Sequence, residues 1–158
     1  MIQIQNILVP VDFTKSSLYA ARHAASLAQT YHARLYVLHV KEPFPAHGRV
    51  VAGSLEDVQK HRMIEEQTQL SEVIPAEFKN TIAVEKIQVS GIPVYGVIVE
   101  KARQFSVDVI VMASQDRKGW ARFFKKNITA QVICNSPCSV FVVRPPEGKA
   151  DKYKPSQK

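Results

Sequence analysis

The stretch Val107–Arg144, VDVIVMASQDRKGWARFFKKNITAQVICNSPCSVFVVR, decides the fold. It holds two short apolar runs rich in β-branched residues, Val109–Ala113 and Val140–Val143. Continuous apolar runs of that length, bounded by polar breakers, suit strands buried on both faces of a parallel sheet. A basic loop and a short helical pattern, Ile128–Cys134, join them. In an open α/β sheet, ligands sit outside the carboxyl ends of the strands, so the loop after Ala113 is the first place to look for a site.

Working outward, the rest of the chain repeats the same alternation. Gln3–Asp12 is expected as a first strand ending on an acid. Thr14 or Ser16 then offers an N-cap for a helix over Leu18–Gln29, whose Leu18, Ala21, Ala25 and Ala28 form a small-residue face able to lie close to a sheet. Leu35–Val40 is the second strand. Lys41–Ser54 has no periodicity and is a loop of the length that is usually functional, one that could close on a ligand. A second helix runs from Ser54 to about Val73, with Leu55, Val58, Met63, Ile64 and Leu70 expected inward. Ile82–Val89 is a third strand, nearer an edge. Gly91 and Pro93 open a third helix, in which Ile92, Val94, Val97, Ile98, Ala102 and Phe105 fall at helical spacing. Strand–helix alternation throughout specifies a three-layer α/β fold: an open sheet of five parallel strands with helices on both faces, Rossmann-like, with strands one and four adjacent at the switch point.

At 158 residues the chain fits one domain, with residues 1–144 forming it and 145–158 a flexible basic tail. The net charge is +7, and the segment from Arg144 onward carries five cations against Glu147 and Asp151. What remains is a modest surplus; the basic loop could serve a nucleic acid, but no recognised motif is present and a solvated charge run is the better reading, so nucleic acid is not the expected partner. The amino terminus enters a strand-like run directly and no apolar run reaches membrane-spanning length, so a cytoplasmic protein with no membrane partner is expected. Cys134 and Cys138 are too few for a disulfide framework, and no second Cys or His pair completes a zinc site. The five histidines have no ligand spacing, and His39, within a strand, is expected as a packed side chain. Phe123, Phe124 and Trp120 suit packing on the sheet or a dimer contact better than stacking on a base. No hydroxyl has a base at a motif distance, so no catalytic residue is assigned and the chain is not expected to be an enzyme.

Four segments in order, NILVPVDFTKSS, LYVLHV, SGIPVYGVIVEKARQFSVDVIVMAS and SPCSVFVVR, resemble the universal stress protein family, from about residue 3 to residue 144. The resemblance implies the fold deduced above, frequent dimerisation, and a division into members that bind ATP and members that do not. Binders carry a signature of Gly, two residues, Gly, nine residues, Gly, then Ser or Thr. Those positions here are Ala113, Asp116, Lys126 and Asn127, so all three glycines are replaced, while Arg117, Gly119 and Arg122 still match the flanking pattern.

Glycines in a phosphate loop allow positive φ and close approach of backbone N–H groups to the anion. Ala113 adds only a methyl, but Asp116 sets a carboxylate where phosphate oxygens would lie. At ~4 Å two such charges repel by about 1 kcal/mol in water and several times more when partly desolvated. Lys126, with Arg117, Lys118, Arg122 and Lys125 around it, pulls the other way. The adenosine half is better kept: the resemblance places adenine and ribose at Pro10, Val11, Asp12 and Val40, with Met112, Ala113, Gln115, Asp116, Lys126, Asn127 and Ile128 completing the candidate site. Asp12 suits a ribose hydroxyl or, equally, the capping of the first helix. The expected function is that of a universal stress protein without the ATP signature, acting through contacts with protein partners. The alternative is a sensor of ATP or AMP that uses Lys126 in place of the glycine loop. The apolar edge run Ser139–Val143, unprotected by charge, is expected to pair with its copy in a homodimer.

Overall fold

The computed structural model describes residues 2–43, 54–114 and 127–145, with residues 54–60 and 62 given by their backbone alone. The elements are β1 (Asn6–Pro10), α1 (Lys15–Tyr31), β2 (Arg34–Lys41), α2 (Ser54–Glu72), a short 3-10 turn at Ala76–Phe78, β3 (Val84–Ser90), α3 (Val94–Gln104), β4 (Val109–Ala113), α4 (Ile128–Asn135) and β5 (Ser139–Val143). All strands are parallel, in the order β3-β2-β1-β4-β5, so β1 and β4 are neighbours and the chain reverses direction across the sheet between them. The three-layer α/β expectation is met.

The two-residue period of the strands sorts side chains between layers. Ile7, Val9, Leu35, Val37 and Val111 face α1 and the end of α2, whereas Leu8, Tyr36, Leu38, Ile110 and Met112 face α3 and α4. Both sets are buried because β1, β2 and β4 are covered on both sides. The helix α1 lies close to the sheet because Ala20, Ala21, Ala24, Ala25 and Ala28 are all fully buried and too small to hold it off. Its start is set by Thr14, whose Oγ1 accepts the N–H of Ser17 at 3.2 Å. Its end is set by His32 in the left-handed region, φ 54°, where the N–H groups of His32 and Ala33 close back on Gln29 and Ala28.

Three residues placed on helical faces by their spacing, Met63, Ile64 and Ile92, are exposed. Met63 and Ile64 of α2 are 54% and 58% exposed, while Leu70, Val73 and Ile74 supply the buried contact instead. Glu66 already stands level with Lys41, the last residue of β2, through a 2.6 Å ion pair. We read the exposed helical turn before it as lying beyond the carboxyl ends of the strands. Ile92 is 72% exposed, because Pro93 is the extended N-cap of α3 and Ile92 precedes the helical face altogether. Leu55, Val58 and the greater part of the Lys41–Ser54 loop lie outside the described side chains, as do Trp120, Phe123, Phe124 and the tail beyond residue 145.

Candidate functional site

Three helices begin where the strands end. The first turns of α1, α3 and α4 all open on the carboxyl edge of the sheet, and between them lies a cleft of about 210 Å³. Its apolar wall is Val11, Val40, Val94, Ile98 and Met112, and its polar groups belong to Asp12, Ser17, Asn127 and Thr129, with Pro10, Ala113 and Ile128 completing the lining. Of the residues assigned from sequence, Pro10, Val11, Asp12, Val40, Met112, Ala113, Asn127 and Ile128 are brought together here. Gln115, Asp116 and Lys126 lie outside the described residues. The sequence reading missed Ser17, Val94, Ile98 and Thr129. Val94 and Ile98, four residues apart at the start of α3, fall at helical spacing in the sequence, and they line the cleft while Ile98 also belongs to the core beneath and Val94 packs against it. Ser17 and Thr129 each stand within the first turn of a helix that opens on the cleft, which is the signal that would have found them.

The loop between β1 and α1 is tightly built. Val11 donates its N–H to the Leu38 carbonyl at 2.8 Å, and its own carbonyl meets Nδ1 of His39 at 2.8 Å. A carbonyl offers no proton, so the ring carries its proton on Nδ1 at this contact. Asp12 donates its N–H to Ser17 Oγ at 3.3 Å, and its Oδ1 accepts the N–H and the hydroxyl of Thr14 at 3.1 and 2.6 Å. Phe13 sits at φ 61°, a left-handed conformation uncommon for a bulky residue, with its ring 4.4 Å from that of His39. The half-buried His39 expected as a packed side chain is therefore packed and hydrogen-bonded as well.

The hydroxyls of the cleft are engaged. Ser17 donates to the Thr14 carbonyl at 3.0 Å, and Thr129 donates to the Ala113 carbonyl at 3.1 Å. Asn127 caps α4 by accepting the N–H of Ala130 at 3.3 Å, which takes up one of the free donors that make a helix start attractive to an anion. Among the described residues no group of three or more His, Cys, Asp or Glu side chains could hold a metal ion. The groups whose titration the fold displaces lie away from the cleft lining. Burial, then Asp108, raises the Cys138 thiol against the opposing hydrogen bonds of Ser136 and Ile110. Burial and Arg22 lower His23, and burial and Lys79 lower Lys86.

The model of the universal stress protein family matches residues 3–144. This chain belongs to the universal stress protein family. A universal stress protein of Methanocaldococcus jannaschii is 29% identical over 143 residues, covering 90% of this chain and 84% of that protein. Among solved structures, universal stress protein UspA from Lactobacillus plantarum aligns with a TM-score of 0.69 at 25% identity, covering 91% of this chain and all of its own. A universal stress protein crystallised in complex with cAMP aligns at 19% identity with a TM-score of 0.63, over 92% of this chain and the whole of that one. Within this universal stress protein, no helix among the described residues is long and apolar enough to cross a membrane.

Proposed function

We propose that this universal stress protein binds an adenine nucleotide through its nucleoside end, in the cleft between β1, β2 and β4. The observation that carries the reading is the shape and chemistry of that cleft: an apolar slot of Val11, Val40, Val94, Ile98 and Met112 beside a carboxylate, Asp12. A flat heterocycle suits such a slot, and an acid at a strand end suits a ribose hydroxyl. The volume, about 210 Å³, falls below the ~300 Å³ at which pockets for larger ligands begin, which favours a nucleoside-sized body. The phosphate end is the weaker one. Ala113 replaces a glycine, and Asn127 spends its side chain on the start of α4 rather than leaving the Ala130 N–H to an anion. The solved relative with cAMP supports a purine nucleotide as the class to test. No chemistry on the ligand is proposed, since the cleft hydroxyls are committed to backbone carbonyls.

The test is calorimetric titration of stripped protein with adenosine, AMP, cyclic AMP and Mg·ATP. AMP is expected to bind, and the further phosphates of ATP are expected to add no more than about tenfold in affinity. A protein that binds ATP a thousandfold tighter than AMP would overturn the weakened phosphate end. Absence of binding by all four would overturn the reading itself.

A second reading, action through protein contacts as a homodimer, is favoured by β5. This strand is an edge of the sheet, and its Phe141 is 46% exposed. An unpaired apolar edge is a template for pairing with another strand. Light scattering at micromolar concentration is expected to give a dimer, and Phe141→Lys to give a monomer that keeps the fold.

A further inference from the structure

The residue that deserves a role beyond packing is His39, because one ring touches the chain on both sides of Asp12. Its Nδ1 meets the carbonyl of Val11, the residue before Asp12, at 2.8 Å, and its ring centre lies 4.4 Å from that of Phe13, the residue after it, with the two planes tilted by 40°. The contact with Val11 does the work of a missing rung. The backbone pairing of β1 with β2 runs from Asn6 opposite Arg34 to Pro10 opposite Leu38, and the Val11 N–H still reaches the Leu38 carbonyl. Beyond that point β1 turns off towards α1, and the Val11 carbonyl bonds a side chain of β2 in place of a backbone N–H. A buried carbonyl without a partner is costly, so the ring holds Val11 at the place where the strand departs. On the other side, Phe13 keeps φ 61°, a conformation that costs a bulky residue free energy and persists only where its surroundings hold it. The imidazole is an aromatic group packed against its ring.

We propose that His39 is the positioning residue of the cleft, fixing the backbone of Asp12 from both flanks so that its carboxylate stands ready for a ribose hydroxyl. The ligand part of this inference rests on the nucleotide reading above; the positioning part does not. His39 sits between Leu38 and Val40, and Val40 lines the cleft, so the same residue also ties the β1 wall to the β2 wall. Lys41 of β2, two residues on, is paired with Glu66 of α2 at 2.6 Å, and Gln88 of β3, opposite His39 in the register, donates to Glu66 at 3.1 Å.

The experiment compares wild type, His39→Ala and His39→Asn, whose amide N–H can stand in for Nδ1–H. Amide hydrogen exchange of the ligand-free protein reads the positioning directly. In His39→Ala the Asp12 and Thr14 amides, bonded to Ser17 Oγ and to Asp12 Oδ1, are expected to exchange about five- to tenfold faster, the worth of one neutral hydrogen bond. Amides of Leu35–Leu38 and Ala24–Ala28 should hold their rates, and His39→Asn should restore those of the loop. Unchanged loop exchange in His39→Ala, or acceleration spread evenly over β2 and α1, overturns the proposal. Affinities for AMP and 2′-deoxy-AMP then read the consequence. The preference for the ribonucleotide should shrink in His39→Ala and return in His39→Asn; an equal loss for both ligands overturns the link to the ribose. If wild type binds neither nucleotide, the nucleotide reading and the ribose clause fall together, and the exchange rates still decide whether His39 positions Asp12.

Discussion

The carboxylate of Asp12 accepts both the backbone N–H of Thr14 at 3.1 Å and its hydroxyl at 2.6 Å, while Thr14 itself caps α1 through Ser17. Oδ1 of Asp12 is thus engaged at the start of the helix, the capping use foreseen for this acid, and the ribose use is the one left to test. Substitution separates them. Asp12→Ala removes the acceptor for both Thr14 groups and should lower stability by about 1 kcal/mol, the usual worth of a helix-start hydrogen bond. Asp12→Asn keeps a carbonyl oxygen for Thr14 and should cost a few tenths of that, yet still weaken a nucleotide held through a charged oxygen. Urea unfolding of the two variants checks the first statement and titration with AMP the second. Equal destabilisation by Ala and Asn would show that the charge, not the acceptor, supports the helix.

Gly91 joins β3 to α3 in a place that leaves no room for a side chain. A Cβ built there would stand 2.7 Å from Cγ2 of Val97, one turn into the helix, and Val97 is β-branched and stiff about χ1. The conflict is steric, so Gly91→Ala should cost about 1–3 kcal/mol, the range for overpacking. Adding Val97→Ala removes the opposing methyl. The double variant should therefore be more stable than the sum of the two single changes, by a coupling of about 1 kcal/mol in urea denaturation. Strict additivity would place the cost of Gly91→Ala elsewhere.

Much of this arrangement is legible in the residues. The strands β4 and β5 carry the bounds read from sequence, because Asp108 and Arg144 break two apolar runs cleanly. The adjacency of β1 and β4 follows from alternation and right-handed crossovers. Periodicity failed where it could not know how far the sheet extends. Met63 is seven residues before the buried Leu70 and shares its side of α2, yet it is 54% exposed, towards the end of the helix where Glu66 pairs with the last residue of β2. The cleft was legible in the strand ends, Pro10 to Asp12, Val40 and Met112–Ala113, since their position depends on topology alone. It was not legible in Val94 and Ile98, whose apolar spacing is equally that of core. Nor was the second duty of His39, a long-range contact from β2 to a carbonyl of β1 that leaves no local pattern.

The two cysteines should react at different rates. Cys134 is exposed at the end of α4, whereas Cys138 packs against the α3–α4 core and its thiol is raised by burial. Only the thiolate attacks a disulfide reagent, so a raised pKa and restricted access act in the same direction. Reaction with Ellman's reagent at mildly alkaline pH should show a fast and a slow phase of equal amplitude in the native protein and one fast phase after denaturation. Cys134→Ser should abolish the fast native phase. A fast native phase that survives Cys134→Ser would contradict the half-buried placement of Cys138.

His23 makes stability depend on pH in a predictable direction. Its imidazole lies against Tyr19, ring centres 4.6 Å apart, beside Arg22, and burial followed by that guanidinium holds its pKa below the ordinary 6.5. The folded chain therefore binds this proton less readily than the unfolded chain, and unfolding takes up protons as the pH drops below 6.5. The contribution is fully present above the ordinary value, declines as the pH falls from it towards the lowered folded value, and levels off below that. Carboxylates lose stability in acid too, but at lower pH, so the difference between two proteins isolates the histidine. His23→Gln, which cannot take up a proton, should lose less stability than wild type between about pH 7.5 and about pH 5.5, a window set by the ordinary range of histidine. Urea midpoints at those two values are the measurement. If wild type and His23→Gln fall in parallel, the imidazole titrates alike in both states, and the pH dependence in this window belongs to other groups.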